Sequence, residues 1–167
     1  MHITKTLARM PTSRAIHLPV LVVLFALAPA LPPASAHGGR VSRVAGSIIP
    51  AGPPLSRIAV DAGNSCVIDI VLPYIITGTL AGTAEIDYRI DVKGPCAEAA
   101  PGKFDETWIA RGTFSGSPGD ASFVYTADVK AGGKIRGEIV LGQGLAGRLW
   151  VKGNLTDTQL HYRGFVK

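Results

Sequence analysis

The chain has 167 residues, and its 17 Lys and Arg against 12 Asp and Glu give a formal charge of +5. Three of those cations, Lys5, Arg9 and Arg14, lie in the first 36 residues, which hold no acid, so residues 37–167 carry 14 cations against 12 anions. That near balance, with no basic block interleaved with aromatics, argues against nucleic acid as a partner, and no apolar run after the N-terminal one is long enough to span a bilayer.

The N-terminus has three parts in a fixed order. After the three cations, Leu18 to Leu31 is almost purely apolar, interrupted by Pro19 and Pro29, and Ala34-Ser35-Ala36 is a small-x-small cleavage site. Basic, apolar and small residues in that order form a secretory signal peptide. The apolar run is too short and too broken by proline for a good membrane span. The expectation is a cleaved signal over 1–36 and a secreted or periplasmic protein from His37 to Lys167, with no membrane span after cleavage. In an oxidising compartment the two cysteines, Cys66 and Cys96, are most simply a disulfide. A metal or redox pair is the alternative, but the spacing is not Cys-x-x-Cys and no histidine lies between them.

Residues 37–64 read as an N-terminal extension with two short strands, Val41 to Ile49 and Arg57 to Val60, around a loop at Pro50 to Pro54. Residues 65–167 read as the main domain. Cys66 to Leu72 is a strand that Pro73 is expected to end. An internal repeat follows, over 78–93 and 112–130. Gly78-Thr79-Leu80-Ala81-Gly82-Thr83 continues into Ala84 to Lys93, while Gly112-Thr113-Phe114-Ser115-Gly116-Ser117 continues, after the insertion Pro118-Gly119-Asp120, into Ala121 to Lys130. Eight of sixteen aligned positions are identical, the pattern of one supersecondary unit used twice. Chance similarity between amphipathic strands is the alternative. Each copy reads as strand, glycine turn, strand, with Gly82 and Gly116-Ser117-Pro118-Gly119 as the turns.

Alternation of period two places Ala84, Ile86, Tyr88, Ile90 and Val92 on one face, with Glu85, Asp87, Arg89 and Asp91 on the other. In the second copy Ala121, Phe123, Tyr125, Ala127 and Val129 match that inner face. Ile135, Gly137, Ile139 and Leu141 share a face, Gly142-Gln143-Gly144 turns the chain, and Leu145 to Leu155 and Gln159 to Val166 complete the strands. No segment after the signal has a helical period. Short strands with frequent glycines predict an all-β fold, a single antiparallel β-barrel of about 7–8 strands, with a β-sandwich as the alternative.

The repeat, the late stretch Val140 to Gly147 and then Gly153-Asn154-Leu155 resemble small bacterial secreted proteins with an allene-oxide-cyclase-like β-barrel, including an uncharacterised domain family. Gly112, Phe114, Gly116, Gly119 and Phe123 resemble that family's middle Gly-x-Phe-x-Gly-x-x-Gly-x-Phe segment, with Phe123 two residues beyond the pattern's last position. The late stretch departs from it, having Gly142-Gln143-Gly144-Leu145 in place of Gly-x-Gly-Thr-Gly. The resemblance covers roughly residues 78–167. It implies a barrel and a cavity, not cyclase activity, since one fold hosts many functions. Lipocalin-like and avidin-like barrels would show a similar pattern.

No His-Glu-x-x-His, Gly-x-Ser-x-Gly or phosphate-loop motif is present, so no catalytic residue, metal ligand or cofactor is assigned. Glu106 shares strand parity with Phe104, Trp108 and Ala110. Facing inward it would be a desolvated carboxylate able to act as acid, base or ligand anchor; the simpler expectation puts it at a wet rim or turns Thr107 and Ile109 inward. Tyr88, Tyr125 and Trp108 either line a cavity or fill core. Trp150 has the parity of Arg148 and Lys152 and is expected outside, where an exposed Trp can mark a partner site. His37 and His161 could form a copper-type pair if His37 becomes the N-terminus, although His-Gly-Gly-Arg reads as a loose end. Asn154-Leu155-Thr156 is a formal glycosylation sequon, expected to be unmodified. The charges at Glu85, Asp87, Arg89, Asp91, Asp128 and Lys130 read as a solvated outer face. The expected function is binding of a small apolar or amphipathic ligand in the barrel. The alternatives are a protein-binding or inhibitor-type envelope module, and an isomerase or cyclase acting on a hydrophobic substrate.

Overall fold

The computed structural model describes residues 40–167; the expected signal peptide and His37 lie outside the described residues. Nine strands follow one another: β1 (Ser42–Pro50), β2 (Ser56–Asp61), β3 (Cys66–Gly78), β4 (Ala81–Val92), β5 (Glu106–Ser117), β6 (Ala121–Val129), β7 (Lys134–Gly144), β8 (Gly147–Asn154) and β9 (Leu160–Val166). A single 3-10 turn, Cys96–Glu98, is the one helical element among the described residues. No helix there is long and apolar enough to cross a membrane.

All pairings are antiparallel. The order β1-β9-β8-β7-β6-β5-β4-β3 closes on itself because β1 also pairs with β3. Eight strands therefore form a closed barrel, and β2 is an extra strand outside the ring. Closure rules out the sandwich. The stagger can be read from the register. From Ile68, the cross-strand partners Ile90, Trp108, Ala127, Gly137, Val151, Tyr162 and Gly46 lead back to β3 at Gly78, ten residues further along. Eight strands with that shear enclose an interior just wide enough to be filled by side chains or to hold one small ligand.

The strand alternation comes out as its sequence pattern implies. Ala84, Ile86, Tyr88 and Val92 of β4 and Ala121, Phe123, Tyr125, Ala127 and Val129 of β6 are buried in the barrel, and their alternating neighbours are mostly exposed. Large rings are accommodated by small inward neighbours. A Cβ on Gly137 would stand 2.5 Å from Tyr125 Cε2, and one on Gly112 would stand 2.6 Å from Phe123 Cζ. This large-against-small fit lets aromatic side chains share a narrow interior.

Three expectations need correction. Pro73 does not end a strand, because β3 runs through it to Gly78. The residues on its flanks show why. Val71 and Pro73 carbonyls accept from Leu55 and Ala51 N–H at 2.9 Å, so odd-numbered backbone groups of β3 face the β1–β2 side. There the ladder is interrupted by residues 51–55, between β2, which pairs with Cys66–Val71, and β1, which pairs with Tyr74–Gly78. The missing N–H of Pro73 falls at the end of the β1 pairing, where its carbonyl still accepts from Ala51 and the return bond it cannot give would go to an exposed carbonyl. Second, Gly82 is not a turn residue. The β3–β4 turn is at Thr79-Leu80, and Gly82 lies within β4 opposite Gly116 of β5. The strand halves of the two repeat copies thus occupy like positions in β4 and β6, whereas their glycine halves do not. Third, Glu106 is neither wet nor outward: it is 8% exposed, on the same inward face of β5 as Trp108 and Ala110.

Candidate functional site

The two ends of the barrel differ. At one end, Ile76, Leu80, Ile86, Phe114, Phe123 and Leu141 leave only about 30 Å³ of wholly apolar space. Tyr162 seals that end. Its hydroxyl accepts from Leu80 N–H at 3.0 Å and has the carbonyls of Thr77 and Leu80 at 3.1 and 3.2 Å to donate to. The other end holds an open cavity of about 290 Å³. That places it at the lower end of the roughly 300–1,000 Å³ of small-molecule sites.

The cavity walls are aliphatic, from Ile68, Ile70 and Leu72 of β3 and Ile90 of β4, and its aromatic lining is Tyr74, Tyr88 and Trp108. These rings reach one another because register makes them neighbours. Ile90 pairs with Trp108, and Tyr88 and Tyr125 flank Ala110 from either side. Tyr88 packs edge-on against Trp108 at 5.7 Å and against Tyr125 at 6.1 Å between centroids, with Tyr74 tilted at 6.3 Å. Such edge-to-face geometry sets the positive ring edge against the negative face and adds about 0.5–1.5 kcal/mol per pair beyond area burial.

Polar groups of Glu106, Tyr74, Tyr88 and Arg57 are set into this apolar lining. Trp108 Nε1 donates to Glu106 Oε2 at 2.7 Å, a buried charge-assisted bond that satisfies the indole and uses one of the two carboxylate oxygens. Tyr88 donates its hydroxyl to Tyr74 at 3.1 Å, which leaves the Tyr74 proton to serve another acceptor. Arg57 of β2 stands at the rim. Burial pushes the Tyr88 phenol well above its ordinary range, reinforced by Tyr74. Burial also raises Tyr74, with the bond from Tyr88 working against it, and raises Tyr125. The tyrosines therefore act near neutral pH as uncharged hydrogen-bonding groups.

A strap across the mouth completes the site. Cys66, the first residue of β3, is bonded to Cys96 in the 3-10 turn, with Cα atoms 4.7 Å apart. Cys96, Ala99 and Phe104 pack against Cys66, Ile68 and Val92, and Ala99 and Pro101 form part of the cavity wall. The far end of the strap is held by Asp105. Its carboxylate accepts from Ala131 N–H at 2.9 Å and pairs with Lys130 at 3.1 Å. The Ala131 N–H and then the Lys130 ammonium hold the Asp105 carboxyl below its usual range.

Of the residues singled out by sequence, Tyr88, Glu106 and Trp108 line one cavity, and Tyr125 is one ring behind it. Tyr125 is 2% exposed, and its hydroxyl makes no hydrogen bond among the described residues. Leaving a buried hydroxyl unmet costs about 1–3 kcal/mol. Tyr125→Phe should therefore leave stability unchanged or raise it by about 1 kcal/mol, read from the urea midpoint. A loss greater than that would show that the hydroxyl has a partner in solution. Tyr74 and Arg57 were not foreseen. The period-two run Cys66, Ile68, Ile70, Leu72 continues through Tyr74 and Ile76, so reading parity past Pro73 would have found Tyr74. Trp150 is on the outer wall, as its parity implied. His161 is also outside, its Nδ1 3.3 Å from Ser47 Oγ. Searches of protein-family models, of curated proteins and of solved structures found nothing that matches this chain.

Proposed function

We propose that the protein holds one small amphipathic molecule in the mouth of its barrel. The observation that carries this reading is the convergence of a free carboxylate oxygen of Glu106, the Tyr74 hydroxyl and Arg57 on a cavity whose remaining lining is apolar. A few placed polar groups in an apolar concavity fix the orientation of a ligand whose body supplies the binding energy. In this reading an aliphatic or aromatic body lies against Ile68, Ile90 and Trp108, and a polar head donates to Glu106 or accepts from Tyr74. The reading includes export to an oxidising compartment, supported by the disulfide. It also includes kinship with the allene-oxide-cyclase-like barrels, supported by the closed eight-stranded form.

The test uses Trp108 as reporter in a Trp150→Phe background, which removes the second tryptophan. Octanol, octylamine and octanoate share a tail and differ in the head. Octanol and octylamine should shift Trp108 emission in a saturable way. Glu106→Gln keeps an oxygen for the indole but loses the charge, and should weaken octylamine about tenfold, the worth of one charge-assisted bond. If none of the three probes perturbs Trp108 up to its solubility limit, the reading fails.

A further inference from the structure

A depression of about 670 Å³ lies not in the barrel but on its outer wall, lined by β1, β8, β9 and Thr79. We propose that the outer wall of β1, β9, β8 and β7 is a binding track for a linear acidic polysaccharide.

Cross-strand register builds the track. Arg43, Phe165 and Arg148 are partners in one outward row; Arg163, Trp150 and Glu138 are partners in the next; His161, Lys152 and Arg136 form the third. Five guanidinium or ammonium groups thus share one wall with a single carboxylate, Glu138, which Arg148 engages at 3.1 Å. Arg43, Arg136, Lys152 and Arg163 have no ion pair among the described residues. These cations are scattered between residues 43 and 163, so no basic block exists in the sequence. On β4 the outward charges are Glu85, Asp87, Asp91 and Arg89, and Arg89 is paired with Asp69 of β3 at 3.6 Å. The barrel is therefore polarised in charge, and its field would steer an anion to the β7–β9 side.

Two aromatic side chains are set among these cations. Trp150 and Phe165 pack edge-to-face at 6.1 Å and remain 44% and 40% exposed, on strand faces where the alternation calls for polar residues. They lie in the depression with Arg43 and Arg163. A second depression of about 380 Å³ continues from Trp150 and Arg163 to Lys152 and Arg136. Aromatic surfaces bounded by cations suit a ligand with apolar ring faces and peripheral negative charge.

Shape selects among polyanions. The three rows cross four strands, roughly 14 Å around the barrel at about 4.8 Å per strand. A bilayer is flat and meets a convex wall along one line, so it could not engage Arg43 and Arg136 together. A flexible chain follows the curve. The disulfide points to an oxidising compartment, where acidic glycans rather than nucleic acids are the expected linear polyanions.

The experiment titrates the whole protein with oligogalacturonate and with a sulfated oligosaccharide at low ionic strength, following the heat of binding by calorimetry, a readout that survives the loss of Trp150. At least one should bind, and raising salt to about 0.3 M should weaken it tenfold or more by screening. Trp150→Ala and Arg163→Glu should each weaken binding at least tenfold while the thermal midpoint stays within about 2 °C of the parent, because both side chains are outside the core. The proposal is overturned if neither glycan binds, if neutral maltooligosaccharide binds equally, if the two variants bind like the parent, or if an oligothymidylate or phosphatidylglycerol vesicles bind more tightly. The mouth-site reading is independent of every one of these outcomes, since its reporter is Trp108.

Discussion

Removing the Cys66–Cys96 bridge should lower the unfolding free energy by about 3–4 kcal/mol, and the barrel mouth should open before the barrel does. The magnitude follows from loop closure. The bridge joins residues 30 apart in sequence, and releasing that constraint enlarges the unfolded ensemble. The location follows from what the bridge holds. It ties the 3-10 turn and the strap after β4 to the first residue of β3. Without it the strap keeps the Cys96 N–H bond to Asp61 at 2.9 Å, the Gly132 N–H bond to the Gly102 carbonyl at 2.8 Å, the Asp105 contacts at its far end and packing by Ala99 and Phe104. Urea unfolding of a Cys66→Ala/Cys96→Ala protein would read the free energy, and limited tryptic digestion would read the strap. New cleavage at Lys103, while the β-sheet signal persists, is the expected result. Resistance at Lys103 with a globally weakened barrel would mean that the hydrogen bonds and packing of the strap hold it without the bridge. Because Ala99 and Pro101 are part of the cavity wall, the same variant should also lose affinity for the octyl probes.

The second large effect is expected at alkaline pH. Burial raises the phenols of Tyr74, Tyr88 and Tyr125 in the folded barrel, Tyr88 well above its ordinary range, because it opposes phenolate charge. In the unfolded chain the same groups ionise near pH 10. Above that pH the unfolded state holds fewer protons than the native one, so stability falls as pH rises and is fully present below it. Each such tyrosine steepens the fall by at most about 1.4 kcal/mol per pH unit, for as long as the folded chain keeps its proton. Unfolding should therefore become cooperative with phenolate absorbance, the two signals rising together between about pH 10 and 12. Tyr88→Phe should make the fall shallower, because it removes the most deeply buried of these phenols. Phenolate appearing near pH 10 while the barrel stays folded would show that water reaches the cluster freely.

Sequence and structure met unevenly at the mouth. Tyr88 and Tyr125 were visible as matched positions on two amphipathic strands, and their meeting across Ala110 follows from register. Glu106 could be placed on the parity of Trp108, but parity does not say which face of β5 is inward. That is decided by β4 and β6, whose buried faces carry Tyr88 and Tyr125 against Ala110. The indole bond to Glu106 Oε2 then makes burial of the carboxylate tolerable. Tyr74 was hidden by a rule that is sound elsewhere. Proline breaks a ladder when its absent N–H is needed, and at Pro73 the bond it cannot give would go to an exposed carbonyl at the end of the β1 pairing.

The sequence by itself determined which side chains alternate, where most strands lie and that two cysteines stand ready to pair, because a period of two is a local property of extended backbone. Tertiary structure alone decided which eight of the nine strands close the barrel that the sequence led one to expect, that β3 shares one edge between β1 and β2, that one end of the barrel is filled and the other open, and that Arg43, Arg163, Trp150 and Arg136 share one wall. Those outcomes depend on the register between strands far apart in the chain. The shear of a closed barrel sets that register, and no window of sequence contains it.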